Sequence, residues 1–248
     1  MATPRKLRCR VSRTTDHGDH VYTVDLIPTP DSRLSTLPGF RPGQFLHLAL
    51  DDYDPSQFWP ESRVFSIANP PSTLPLRISY SVRGRYTARM EKELAPGRQV
   101  WVKLPYGEFV VSSTQPSALL AGGTGITAFT AFIAGMKPDH SQPVFLAYGA
   151  RTPELLIYRD MVERQAAAVP SFRCALFSES ADSRLSPLAS RFSLLAGRVS
   201  VASVWPLLTA PADTAFFVSG PPAMLESVTS DLRSRGVKPG TIHTDAWE

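Results

Sequence analysis

Two hydrophobic periods divide this chain. Up to about residue 112 the apolar residues alternate with polar ones in short runs: Leu7-Arg-Cys-Arg-Val-Ser, His20-Val-Tyr-Thr-Val-Asp-Leu-Ile, Phe45-Leu-His-Leu, Arg63-Val-Phe-Ser-Ile-Ala and Leu76-Arg-Ile-Ser-Tyr-Ser-Val. Val100-Trp-Val-Lys-Leu and Gly107-Glu-Phe-Val-Val follow, joined by Pro105-Tyr106. A period of two predicts half-buried strands. Turn signals separate them: Pro28-Thr-Pro-Asp-Ser, Arg41-Pro-Gly-Gln, Asn69-Pro-Pro and Ala95-Pro-Gly. One short helix starts after Gly84. Six or more short strands with a single helix predict a small antiparallel β-barrel or sandwich for residues 1–112. Past the polar stretch Ser112-Ser-Thr-Gln-Pro the pattern changes. Short continuous apolar runs (Ser117–Ala121, Pro143–Tyr148, Phe172–Phe177, Thr214–Ser219) alternate with helical stretches after Thr127, over Glu154–Ala168 and over Ala223–Arg235. Buried strands alternating with helices predict an α/β domain with a parallel sheet for residues 113–248.

Composition narrows the class of protein. Of 248 residues, 43% are hydrophobic and 19% charged, which suits a globular protein with a full core. No apolar run reaches the roughly 18 residues needed for a membrane span. The basic start, MATPRKLRCR, has no apolar core behind it and does not read as a secretory signal. The net charge of +4 is scattered along the chain, so no nucleic-acid partner is expected. Cys9 and Cys174 are too far apart for a metal spacing and read as free thiols of a cytoplasmic protein. His47, flanked by apolar residues, reads as an outward or satisfied histidine, and no metal site is expected.

Four stretches carry candidate chemistry. Arg63-Val64-Phe65-Ser66 loads one strand with an arginine that can fork onto a phosphate, a ring that can lie against a flat ligand, and a hydroxyl for that ligand's edge. Read alone, it is more readily an ordinary barrel strand with a surface arginine. Gly84-Arg85-Tyr86-Thr87 opens a helix, where free N–H groups and the helix dipole favour a phosphate. Thr87 is also an ordinary capping residue. Gly123-Thr124-Gly125-Ile126-Thr127-Ala128 fits G-x-G-x-x-G/A between a strand and a helix, the context of a dinucleotide loop. The acidic residue such loops pair with the ribose is missing at the next strand end, Tyr148-Gly-Ala-Arg151. Ser219-Gly220-Pro221-Pro222-Ala223-Met224 repeats the strand-to-helix arrangement, and the chain ends in Asp245-Ala246-Trp247-Glu248.

In order along the chain these motifs resemble the ferredoxin–NADP reductase-like flavoproteins. Arg63-Val-Phe-Ser66, preceded by Pro42-Gly-Gln-Phe45, matches the family's Arg-x-Tyr/Phe-Ser motif. Gly84-Arg-Tyr-Thr87 resembles its flavin-phosphate turn and Pro105-Tyr-Gly-Glu-Phe109 its barrel-closing segment. Gly122-Gly-Thr-Gly-Ile-Thr127 and Gly220-Pro-Pro-Ala-Met224 resemble its two nucleotide motifs, and Asp245-Ala-Trp247 its terminal acid-x-aromatic. The resemblance implies an FAD-binding barrel followed by an NAD(P)H-binding α/β domain, with hydride passing from the nicotinamide to the flavin. It implies Arg63 on the flavin phosphate, Phe65 on the ring and Ser66 near its N5. Ile78, Ser79 and Tyr80 fall on the next flavin-side strand, with Gly84, Arg85, Tyr86 and Thr87 at the diphosphate. Gly123, Thr124, Gly125, Thr127, Gly220, Pro221, Pro222 and Met224 line the nicotinamide nucleotide. Ser219, Asp245 and Trp247 join Ser66 as catalytic candidates, Trp247 covering the flavin face.

Two departures stand out: Ser219 replaces a common cysteine, and Ala128 a common proline. No cysteine cluster provides an iron–sulfur centre. Ser178 and Arg184, with Arg198 nearby, are placed to meet a 2′-phosphate, and Glu179 or Asp182 to meet a ribose, so the donor is NADPH or NADH. The expected electron acceptor is a separate protein, such as a ferredoxin or an oxygenase component. A small oxidised acceptor (free flavin or a ferric chelate) is the alternative. A non-catalytic, flavin-binding regulatory subunit is the reading from another class.

Overall fold

A computed structural model describes residues 3–30, 37–111, 114–180 and 192–245. The chain separates into two compact units, Met1–Val110 and Val111–Glu248.

The first unit is an antiparallel sheet rolled towards a barrel. Its strands are β1 (Arg5–Asp16), β2 (Val21–Pro28), β3 (Phe45–Ala49), β4 (Ser62–Ser66), β5 (Leu76–Ser81) and β6 (Gln99–Tyr106), ordered β4-β3-β6-β1-β2-β5. The alternation in the sequence becomes an inside and an outside. Leu7, Cys9 and Val11 of β1 are fully buried, while Arg8 between them is half-buried and Arg10 is exposed. Helix α1 (Arg85–Glu93) buries Tyr86 and Met90 in the same core. Its outer face is held by Arg89, which pairs with Asp51 at 2.8 Å and Glu93 at 2.9 Å. The sheet's two end strands meet just past β4, where Ala68 N donates to Arg77 O at 2.9 Å and Arg77 N to Asn69 Oδ1 at 2.8 Å.

One expected strand is absent. Residues 107–111 form no ladder, and Pro105-Tyr106, read as a turn, lies inside β6. Gly107 takes φ +92°, and its carbonyl accepts from Gln44 Nε2 at 2.9 Å. Phe109 O lies 2.4 Å from where a Cβ on Gly43 would stand. The segment gives its Gly107 carbonyl to Gln44 and packs on Gly43 instead of joining the sheet.

The second unit is a parallel sheet with helices. Its elements run β7 (Ser117–Gly122), α2 (Thr127–Gly135), β8 (Val144–Ala150), α3 (Arg159–Ala168), β9 (Phe172–Ser178), β10 (Phe192–Ala196), α4 (Val201–Val204), β11 (Ala215–Ser219), α5 (Pro222–Ser234) and β12 (Ile242–Asp245). The strand order is β10-β9-β8-β7-β11-β12. Residues 117–121 and all of β11 are buried, which is why both read as continuous apolar runs rather than alternating ones. The helix expected from Glu154 starts only at Arg159, because Pro153–Leu155 closes as a separate 3₁₀ turn. The segment Ile242–Asp245 is an edge strand paired in parallel with β11. The chain winds outwards from β7 to β10 and then returns to β11, so the strand order reverses at β7. In an open α/β sheet such a reversal marks the ligand crevice at the strand carboxyl ends. No helix among the described residues is long and apolar enough to cross a membrane.

Candidate functional site

In the first unit the candidate residues gather where β4 and β5 come together without pairing. These strands end the sheet order on opposite sides. After the Ala68–Arg77 contact the two edges run on with no ladder between them, so each offers unpaired backbone groups to the other. Phe65 and Tyr80 touch across this seam, with centroids 6.0 Å apart and planes at 60°. Ser66 Oγ and Tyr80 OH are buried in the seam with no hydrogen-bond partner. Buried hydroxyls are normally satisfied, so two orphans on facing strands point to a ligand with polar edges. A flavin ring fits this test: its carbonyls and ring nitrogens supply the missing partners.

Arg63 stands at the mouth of the seam. Its Nη2 is 2.9 Å from Glu61 Oε1, its Nη1 donates to Ser62 O at 2.9 Å, and its guanidinium lies 4.8 Å over the Tyr86 ring. Arg85 Nη2 reaches the same Glu61 oxygen at 3.9 Å. Tyr86 is itself core: its hydroxyl donates to Leu48 O at 2.8 Å and accepts from Leu50 N at 3.1 Å. Gly84 is the N-cap of α1. Thr87 Oγ1 accepts from Arg83 N at 2.8 Å and from Gly84 N at 3.1 Å, which sets the helix entry. Val64 is half-buried and Ile78 fully buried. Ser79 Oγ is 2.7 Å from Thr23 Oγ1, which is 2.9 Å from His17 Nε2. Ile78 and Tyr80 belong to the core and Ser79 to this other hydrogen-bonded set, so β5 divides its candidate residues between two faces. His47 is no ligand: it packs edge-on against Tyr106 at 4.7 Å, and burial followed by the Lys103 charge holds it below the usual imidazole range.

In the second unit both glycine motifs sit at the switch point. A Cβ on Gly125 would lie 2.4 Å from Ser219 O, and one on Gly122 would lie 2.6 Å from Met224 Sδ. The loop after β7 therefore rests directly on the turn after β11, and glycine is the residue that allows it. Gly123 takes φ +54° with open space around its missing Cβ. Thr124 is half-buried, and its carbonyl accepts from Thr127 Oγ1 at 2.8 Å. Gly220 is buried beside Gly122, while Pro221 and Pro222 are exposed at the start of α5.

Beneath this loop pair Ser219 is fully buried and donates to Asp245 Oδ2 at 3.1 Å. The strand register places the two residues opposite each other. Burial pushes the Asp245 carboxyl up to about 6, while the Ser219 hydrogen bond pulls it down. At the end of β9, Ser178 is fully buried with its hydroxyl donating to Arg151 O at 3.3 Å, so it is not presented to a 2′-phosphate. Arg198 Nη2 pairs with Glu179 Oε2 at 2.8 Å. Asp182, Arg184 and Trp247 lie outside the described residues.

Sequence reading missed Glu61, because its loop shows only acidic and aromatic character. It also missed the Ser219–Asp245 pair. Their contact comes from the parallel register of β11 and β12, which the sequence does not carry. Among the described residues no cluster of three histidine, cysteine or acidic side chains could hold a metal.

Comparison with known proteins agrees with this division. The family model for an oxidoreductase NAD-binding domain matches residues 119–230. The chain is 27% identical over 215 residues to the propane 2-monooxygenase reductase component of Mycolicibacterium smegmatis, covering 84% of this chain and 59% of that protein. It thus spans less than two thirds of that relative's length. Among solved structures, an Amycolatopsis cytochrome P450 reductase superposes with a TM-score of 0.79 at 22% identity, over 99% of this chain and 70% of the other. A ferredoxin NADP+ reductase from Neisseria gonorrhoeae with bound FAD and NADP gives 0.75 at 17% identity, over 97% and 98%.

Proposed function

We propose that the chain is a member of the ferredoxin–NADP reductase-like flavoproteins and acts as an NAD(P)H-dependent FAD reductase that hands its electrons to a separate redox protein. The observation that carries the reading is the unpaired β4/β5 seam, whose two strands carry the orphaned Ser66 Oγ and Tyr80 OH among the described residues. Bound FAD supplies a hydride acceptor that can release electrons singly or in pairs.

The chain's own residues do the rest. Phe65 and Tyr80 wall the ring, and Ser66 Oγ donates a hydrogen bond near its N5. Arg63, Arg85 and the N-terminus of α1 meet the diphosphate. In the second unit, Gly123, Thr124, Gly125 and Thr127 bring backbone N–H groups to the dinucleotide, opposite Gly220, Pro221, Pro222 and Met224. Ser219, fully buried and bonded to Asp245, holds the end of β11 from which the Gly220 turn meets the nicotinamide nucleotide. The donor is NADPH or NADH. Arg198 is already paired with Glu179, so the chain's third-strand region offers a carboxylate to a ribose as readily as a cation to a 2′-phosphate. The acceptor is a ferredoxin or an oxygenase component, and the protein works in the cytoplasm.

Anaerobic stopped-flow mixing of the flavin-loaded protein with NADPH and with NADH tests this. Rapid bleaching of the flavin band by one or both nucleotides is expected, followed by reoxidation with a one-electron protein acceptor. A protein that takes up no flavin, or whose flavin stays oxidised, overturns the reading.

A further inference from the structure

The two arginines proposed for the flavin's phosphates are already engaged by an anion that belongs to the chain. Glu61 Oε1 stands 2.9 Å from Arg63 Nη2 and 3.9 Å from Arg85 Nη2. Arg63 Nη1 donates meanwhile to Ser62 O at 2.9 Å. Each terminal nitrogen of Arg63 therefore already gives one N–H to its own loop, and a phosphate that grips the fork meets a carboxylate at one of its prongs. The Glu61 backbone stands beside the helix that forms the phosphate site, its carbonyl 3.3 Å from the Tyr86 hydroxyl whose proton goes to Leu48 O. The Glu61 side chain is 40% exposed and able to turn outwards.

We propose that Glu61 is a built-in competitor of the flavin diphosphate: its carboxylate must leave Arg63 and Arg85 for the diphosphate to bind. Glu61 thereby sets how tightly FAD is held and how readily it exchanges. This rests on the assignment of Arg63 and Arg85 to the diphosphate. The competition is weak enough to be lost to a ligand, because exposed ion pairs contribute little. It is also strong enough to matter, because a diphosphate placed beside an unmoved carboxylate meets like charge at short range.

The test is an equilibrium titration of flavin-free protein with FAD, followed by quenching of flavin fluorescence, at low and high potassium chloride. Wild type, Glu61→Gln and Arg63→Ala are compared. Glu61→Gln keeps the shape and removes the charge, so it should bind FAD at least about threefold more tightly. Its affinity should also fall more steeply with salt than that of the wild type, in which salt weakens competitor and ligand alike. Unchanged or weaker binding by Glu61→Gln, with Arg63→Ala weakened, overturns the competitor and leaves the phosphate assignment standing. Undiminished binding by Arg63→Ala, or no binding by the wild type, overturns both.

Discussion

The two units build their candidate sites from different materials. In the second unit the site is backbone on backbone, a glycine loop seated on a glycine turn with no room for a Cβ at Gly122 or Gly125. In the first unit it is side chain against side chain: a phenylalanine, a tyrosine, two unsatisfied hydroxyls and an arginine held by a glutamate. A backbone site tolerates no substitution but offers little to tune. A side-chain site tolerates many substitutions, and each alters the chemistry. The contrast predicts that damage to the second unit is structural and all-or-none, and that damage to the first is graded.

The largest effect should therefore come from Gly125→Val. Its Cβ alone lies 2.4 Å from Ser219 O, a contact that must be relieved by moving one loop. Overpacking of this kind costs about 1–3 kcal/mol. Affinity for the nicotinamide nucleotide should fall by more than about tenfold, since the loop's N–H groups no longer converge. Isothermal titration with NADP+ and NAD+ measures it. FAD content should stay at the wild-type level, and its loss would break the separation of the two sites. Arg63→Ala comes next. Flavin retention should drop about tenfold, as expected for a lost charge-assisted fork, while the melting temperature changes little. Flavin-to-protein ratio after gel filtration reads the first and a thermal melt the second.

The same contrast explains what could be seen in the sequence. Glycine spacing is a backbone requirement, so Gly123-Thr-Gly125 and Gly220-Pro-Pro are legible wherever a strand precedes and a helix follows. The barrel strands were legible from alternation, and for the same reason Gly107-Glu-Phe-Val-Val was misread as one. Its pattern is a strand's, but its Gly107 carbonyl goes to Gln44 and it packs on Gly43. Ser219 and Asp245 were each named, yet their contact depends on the parallel register of two strands 26 residues apart. Period and composition carry no register between distant strands. Glu61 belongs to a loop, where no period exists to say which side chain turns inwards.

Asp245 gives a middle-sized effect that sharpens the comparison, because it is a buried ionisable side chain next to the backbone-built loops of the second unit. Burial raises its carboxyl to about 6 from 3.8. An acid whose pKa is higher folded than unfolded favours folding fully below the unfolded value. That contribution is lost as pH rises towards the folded value. The second unit should thus lose stability between about pH 4 and 6, by roughly 2–3 kcal/mol from this group. Asp245→Asn keeps an acceptor for Ser219 and removes the charge. It should match wild type near pH 4 and exceed it at pH 7 in melts across that range. Equal melting at both pH values would mean that the carboxylate is solvated where it stands.

The smallest effect should come from the first unit's seam. Tyr80 OH is buried without a partner, and burial followed by the nearby Tyr22 hydroxyl pushes its ionisation well above the usual tyrosine range. An unsatisfied buried hydroxyl costs about 1–3 kcal/mol, and phenylalanine removes it with the ring left in place. In flavin-free protein Tyr80→Phe should therefore raise stability, by up to about 1 kcal/mol once the lost polar contacts of the unfolded state are counted. In flavin-loaded protein the sign should reverse by a similar amount, because the hydroxyl has then found its partner. Paired denaturant titrations with and without FAD measure both. A change of one sign in both would mean that the Tyr80 hydroxyl does not reach the flavin, leaving Ser66 as the seam's only polar contact to it.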